Sequence, residues 1–129
     1  MGIEYTYNDR TGLIVMQPSG TISFDDVIEY EEMFMRDHPS PPQYVEVIRM
    51  EEVEDVVFSY SSYKAVICAI EKWKRFGHKL TLFCAFTEKH KEMTDLLLPI
   101  FQNIDISIQV CYSEDELQEI LTALNLRAS

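Results

Sequence analysis

Ile3, Tyr5 and Tyr7 alternate with Glu4, Thr6 and Asn8, a period of two that predicts a half-buried strand. Asp9-Arg10-Thr11-Gly12 reads as a hairpin turn, with Gly12 free to take a positive φ. Leu13 to Met16 is a second strand, which Pro18-Ser19-Gly20 should stop. Ser23 and Asp26 form a capping-box-like start, and Asp25 and Asp26 complement the positive end of a helix dipole. Phe24, Val27, Ile28, Phe34 and Met35 then recur at helical spacing, so a first helix runs to about Asp37. Pro39-Ser40-Pro41-Pro42 cannot continue it and makes a stiff linker.

Tyr44 to Met50 is a third strand, with Val45 and Val47 around Glu46. Residues 51–58 read as an acidic connection that turns apolar at Val56, Val57 and Phe58. From about Ser61, Tyr63, Val66, Ile67, Ile70 and Trp73 mark one face of a second helix, and Lys64, Glu71, Lys72 and Arg75 the other. Gly77 is a natural stop. Leu80 to Phe86 is almost continuously apolar, as a central strand covered on both faces should be.

Thr87 can cap a third helix with Met93, Leu96, Leu97 and Ile100 inward, kinked or ended by Pro99 near Leu98. Ile104, Ile106, Ile108 and Val110 alternate as a fifth strand, and the capping box Ser113-Glu114-Asp115-Glu116 opens a last helix striped by Leu117, Ile120, Leu121 and Leu124. The order ββαβαβαβα implies an α/β fold, with a mixed, mostly parallel five-stranded sheet and four helices. The expected organisation is a single domain over residues 1–129, with no internal repeat.

Composition narrows the function. A chain of 129 residues buries roughly two-thirds of its unfolded surface, enough for a core without staples. No apolar run is long enough for a bilayer, and the start Met-Gly-Ile-Glu-Tyr lacks a basic region followed by an apolar stretch. The expectation is a cytoplasmic protein without membrane insertion. A formal net charge of −11 has the wrong sign for a phosphate backbone, so no nucleic-acid partner is expected. The charge is bipolar: residues 25–55 hold eleven acids against Arg36 and Arg49, while residues 64–91 hold seven of the eleven Lys and Arg. That pattern suits a docking partner as well as solubility.

Cys68, Cys84 and Cys111 form no CxxC pair and read as reduced thiols, with Cys68 and Cys84 as buried small hydrophobes. His38, His78 and His90 have no shared ligand spacing with them, so neither a metal nor a cofactor is expected. The acidic stretch Glu51, Glu52, Glu54 and Asp55 lacks calcium-loop spacing and reads as a solvated loop. His78 and His90 beside Lys79, Lys89 and Lys91 read as a surface grouping rather than an anion site. No Gly-x-Ser-x-Gly elbow, P-loop or glycine fingerprint is present, and no activating neighbour is evident for Cys84, so catalysis is not expected.

The run from Tyr44 to Phe86 resembles the STAS domain, the SpoIIAA-like fold of anti-sigma-factor antagonists and of sulphate-transporter tails. Members run from a hydrophobic strand through Asp-Ser-Ser-Gly to a helix that ends in a basic stretch and glycine, followed by a buried strand. The matching pieces are Tyr44–Met50, then Ser59, Tyr60, Ser61 and Ser62, then Tyr63–Gly77, then Lys79–Phe86. The aspartate and glycine of the motif are missing, and Arg49 replaces the usual acid at the end of the third strand. A divergent SpoIIAA-like subgroup, related in fold to lipid-binding CRAL-TRIO domains, fits these departures.

The resemblance implies a non-enzymatic regulatory module that docks an anti-sigma factor or a switch kinase. Its contact surface would be Ser59, Tyr60, Ser61, Ser62 and Tyr63, controlled by phosphorylation of a serine, Ser61 being the candidate. The physics is straightforward: amides at a helix N-terminus stabilise a dianion, and the added charge repels an acidic partner surface. A serine before a helix also serves simply as an N-cap, worth about 1 kcal/mol. The alternative is a small-molecule or lipid-binding domain with an apolar pocket beneath the loop, which an enclosed cavity above about 300 Å³ would favour. A third reading is an assembly subunit, a homodimer indifferent to mutation of Ser61.

Overall fold

The computed structural model describes residues 2–38, 43–57, 59–102 and 106–126. The proline linker 39–42, Phe58 and Ile104, each assigned a role from sequence, lie outside the described residues. The chain opens with a hairpin of β1 (Ile3–Asn8) and β2 (Leu13–Ser23). Asn8 builds the turn, its side-chain oxygen accepting from the amides of Arg10 and Thr11. Gly12 has φ 76°, and a Cβ there would meet the Gln43 carbonyl oxygen at 2.4 Å, so conformation and space both demand glycine.

β2 does not stop at Met16 as the Pro18-Ser19-Gly20 signal predicts; it runs to Ser23. Leu13–Met16 pair with β3 (Tyr44–Arg49), and Ser19–Ser23 pair with β4 (Glu52–Val57). Pro18 falls where β2 exchanges one partner for the other, so its missing N–H breaks no ladder there. β4 is the strand absent from the sequence reading, which took residues 51–58 as an acidic connection. Its Glu52, Glu54 and Asp55 are exposed while Val53 is buried, so its apolar signal is too sparse to count as alternation.

α1 (Phe24–Asp37) follows β2, capped by Ser23 and Asp26 in a complete reciprocal box. α2 (Tyr60–Phe76) follows β4, β5 (His78–Cys84) follows α2, and α3 (Glu88–Gln102), β6 (Ile108–Cys111) and α4 (Glu114–Ala123) complete the chain. The sheet order is β1-β2-β3-β5-β6, with β4 on β2; every pairing is parallel except β1–β2. The mixed, mostly parallel α/β architecture with four helices stands, with one strand more than expected.

α3 runs through Pro99 to Gln102, where the sequence suggests a kink or an end near Leu98. Both Pro99 and Asp95, whose carbonyl loses a helical partner, are exposed, so water can satisfy it. Leu96, assigned inward, is 73% exposed, and Ile67 of α2 is 44% exposed. Cys68 is exposed, while Cys84 and Cys111 are buried as free thiols.

Period-two alternation in the central strands divides the interior. Val45, Val47, Leu82 and Cys84 face α4, through Leu117 and Leu121. Met16, Ile48 and Phe83 point to the opposite face, where α1, α2 and α3 supply Tyr30, Phe24, Val66, Trp73 and Leu97. Glu46 lies between Val45 and Val47 and so projects into this three-helix side.

Candidate functional site

Two polar clusters carry chemistry. The first is the start of α2, the surface expected from sequence. Ser59 is the N-cap, in extended conformation, and its hydroxyl accepts from the Ser62 amide at 3.2 Å. Its Oγ is also 3.0 Å from the hydroxyls of Ser61 and Ser62. Ser62 is buried and Tyr63 half-buried, whereas Ser59 and Ser61 are exposed and Tyr60 is 76% exposed. The Lys64 ammonium lies 5.6 Å from the centre of the Tyr60 ring. The five residues therefore do not share one role. Ser59 and Ser62 close the helix end, and Tyr60 and Ser61 face solvent. The helix follows β4 rather than β3, because the connection expected before it is itself a strand.

The second cluster was not singled out from sequence. Glu31 of α1 and Glu46 of β3 are both buried, 3% and 4% exposed, with their carboxyl groups within hydrogen-bonding distance. The Tyr30 hydroxyl donates to Glu46 Oε2 at 3.0 Å. Burial and the neighbouring Glu46 charge push the Glu31 carboxyl well above the usual carboxylate range. Burial also raises Glu46, but the hydrogen bonds from Glu31 and Tyr30 oppose the rise. Of the two carboxyls, Glu31 is the one held further toward its protonated form. Burial, together with the adjacent carboxyls, raises the Tyr30 hydroxyl, keeping it a donor.

This pair borders an apolar cavity of about 90 Å³ between the sheet and α1–α3, lined among others by Met16, Ile22, Ile48, Phe83, Trp73 and Leu97. His78 and Thr81 lie on its border, 2.7 Å apart through Nε2 and Oγ1. Burial, helped by Lys74, lowers His78 to about 4. A signal for the pair existed: Glu31 interrupts the stripe of Phe24, Val27, Ile28 and Phe34 at helical spacing, and Glu46 sits in a strand covered on both faces.

Other assignments change. His90 is no surface residue: it is buried, its Nε2 lies 2.9 Å from the Val53 carbonyl oxygen and its Nδ1 2.7 Å from the Thr87 hydroxyl. The same hydroxyl accepts from the His90 amide, giving Thr87 the capping role expected of it. Arg49 forks onto Glu114 at 2.8 and 3.3 Å and reaches Glu51 at 3.0 Å, clamping the start of α4 to the end of β3. Among the described residues no group of three or more His, Cys, Asp or Glu is placed to hold a metal, and no helix is long and apolar enough to cross a membrane.

No protein-family model matches the chain, and no curated protein does. A solved structure does match: an uncharacterised protein of the DUF3478 family with a SpoIIAA-like fold, from Shewanella loihica PV-4. The likeness has a TM-score of 0.58 at 10% identity and covers 93% of this chain and 92% of that one. The chain has a SpoIIAA-like fold. At this identity the likeness speaks for the fold, and the chemistry of the SpoIIAA-like scaffold must be read from its side chains.

Proposed function

We propose that this protein is a non-enzymatic, cytoplasmic regulatory module that docks a protein partner through the start of α2. The carrying observation is the exposure of Tyr60 beside exposed Ser61 at the helix N-terminus. Tyr60, Lys64 and Ile67 follow at i, i+4 and i+7 on one face, and Val57 at the end of β4 is 50% exposed. An exposed tyrosine is a usual anchor of a protein interface.

Ser61 is the phosphorylation switch. Ser59 is exposed but its hydroxyl caps the helix, and Ser62 is buried, so Ser61 is the exposed hydroxyl of the three that does not hold the Ser62 amide at the positive end of α2. A phosphate there would gain from the helix amides while repelling an acidic partner. The partner class that the resemblance implies is an anti-sigma factor or a switch kinase. A lipid or drug-sized ligand needs roughly 300–1,000 Å³, and the cavity of about 90 Å³ is too small for one.

The test is affinity capture of the native partner with wild type, Tyr60→Ala and Ser61→Asp as baits. The reading expects one partner held by wild type and lost from both variants. A partner retained equally by all three overturns it.

A further inference from the structure

We propose that the cavity between the sheet and α1–α3 is a binding site for a small aliphatic amine, its ammonium on the Glu31–Glu46 pair and its hydrocarbon body among Met16, Ile22, Ile48, Phe83 and Leu97. The proposal uses none of the docking residues and stands apart from that reading.

Charge is the first argument. Two carboxyls meet in a space whose bordering residues include no lysine or arginine, and His78 there resists protonation. With one proton between them the pair carries one negative charge, and no lysine or arginine among the lining residues offsets it. A buried charge in such a setting calls for a partner.

Unmet hydrogen bonding is the second. Glu31 Oε2, in a side chain 97% enclosed by its 3% exposure, accepts from no donor among the described residues. Buried polar atoms of this kind are rare in native proteins and call for an explanation. The polar wall of this cavity is incomplete without an occupant.

Size and chemistry select the occupant. An engineered apolar cavity of about 150 Å³ takes a benzene, so a cavity of about 90 Å³ takes roughly four heavy atoms. A bare divalent cation would need about six oxygen ligands, and two carboxyls against an apolar wall do not supply them. An alcohol offers one donor and no charge. A short alkylammonium offers three donors, a positive charge and an apolar body in one molecule. Its head sits beside the shared proton, which stays between the carboxyls, so the single positive charge offsets the single negative one.

Trp73 is the single tryptophan of the chain, so its indole N–H resonance reports this cavity alone. The full chain is titrated at neutral pH and constant ionic strength with propylammonium chloride, 1-propanol and sodium propionate. The expected result is a saturable Trp73 shift with propylammonium, at a midpoint at least about tenfold below that of propanol, and no response to propionate. Glu31→Gln with Glu46→Gln should raise the amine midpoint by about tenfold or more, while Ser61→Asp leaves it unchanged. Propanol binding as tightly as the amine, an unaltered midpoint in the double variant, or no saturable shift overturns the proposal. Should the double variant not fold, the ranking of amine over alcohol in the wild type decides.

Discussion

The serines at the start of α2 and the carboxyls behind the sheet are both polar clusters joined by short hydrogen bonds, yet they stand in opposite solvents. Ser59, Ser61 and Ser62 satisfy one another and a backbone amide at the edge of water. Glu31 and Glu46 meet, both buried, at the edge of an apolar cavity, where one carboxyl oxygen has no donor among the described residues. A wet cluster is inexpensive, because water supplies whatever the chain does not. A dry one opposes folding unless it brings specificity or a ligand. The difference separates a surface that can be rewritten by one modification from an interior site that tolerates little change.

That contrast can be broken experimentally, and the largest effect should come from the interior. Replacing Glu31 and Glu46 together by leucine should raise stability by about 1–4 kcal/mol in urea unfolding, because an isolated buried charge disappears. Tyr30→Phe should lower it by about 1.5–3 kcal/mol, since the Glu46 carboxylate loses the donor at 3.0 Å.

The pair should also show in pH dependence. Its carboxyls are raised in the folded state, so their contribution is full below the unfolded value of about 4.5 and is lost as pH rises through the folded value. His78 is depressed to about 4, so its contribution is full above about 6.5 and is lost as pH falls toward 4. Above about pH 6.5 His78 is neutral in both states, which leaves that window to the carboxyls. Melting temperature there should fall with rising pH in wild type and flatten in Glu31→Gln with Glu46→Gln.

The surface should yield smaller changes. Ser59→Ala removes the α2 cap and should cost about 1 kcal/mol in the same unfolding assay. Ser61→Asp places a negative charge beside the helix amides and should shift stability by no more than about 0.5 kcal/mol, its consequence lying in partner capture. A cost of several kcal/mol for Ser61→Asp would make that serine structural and dissolve the distinction.

Much of this architecture was legible because hydrophobic period and capping chemistry agree. Ser23 with Asp26, Gly77 after α2 and Ser113 before α4 all stand where sequence reasoning puts helix ends, and the α2 cap falls on Ser59, just ahead of the start expected at about Ser61. Failures came where tertiary context outweighs local rules. β4 pairs through its backbone while its acids face water, so it shows little apolar alternation. Pro18 sits at a change of partner strand and Pro99 on an exposed helix face, where each loses little. The surface site was readable because serines before a helix announce a cap. Each carboxyl left a trace in the hydrophobic pattern but their pairing did not, since Glu31 and Glu46 are 15 residues apart and a glutamate is ordinarily read as exposed. Only folding brings them together.

The most direct measurement is the protonation of that pair. With ¹³C-labelled glutamate, the carboxyl carbons of Glu31 and Glu46, assigned from their single Gln variants, can be followed from acid to mildly alkaline pH. The account predicts that Glu31 remains protonated at neutral pH, with its transition well above the ordinary value near 4.3. Two independent transitions near 4.3 would mean that the carboxyls are solvated and separate, and would contradict it.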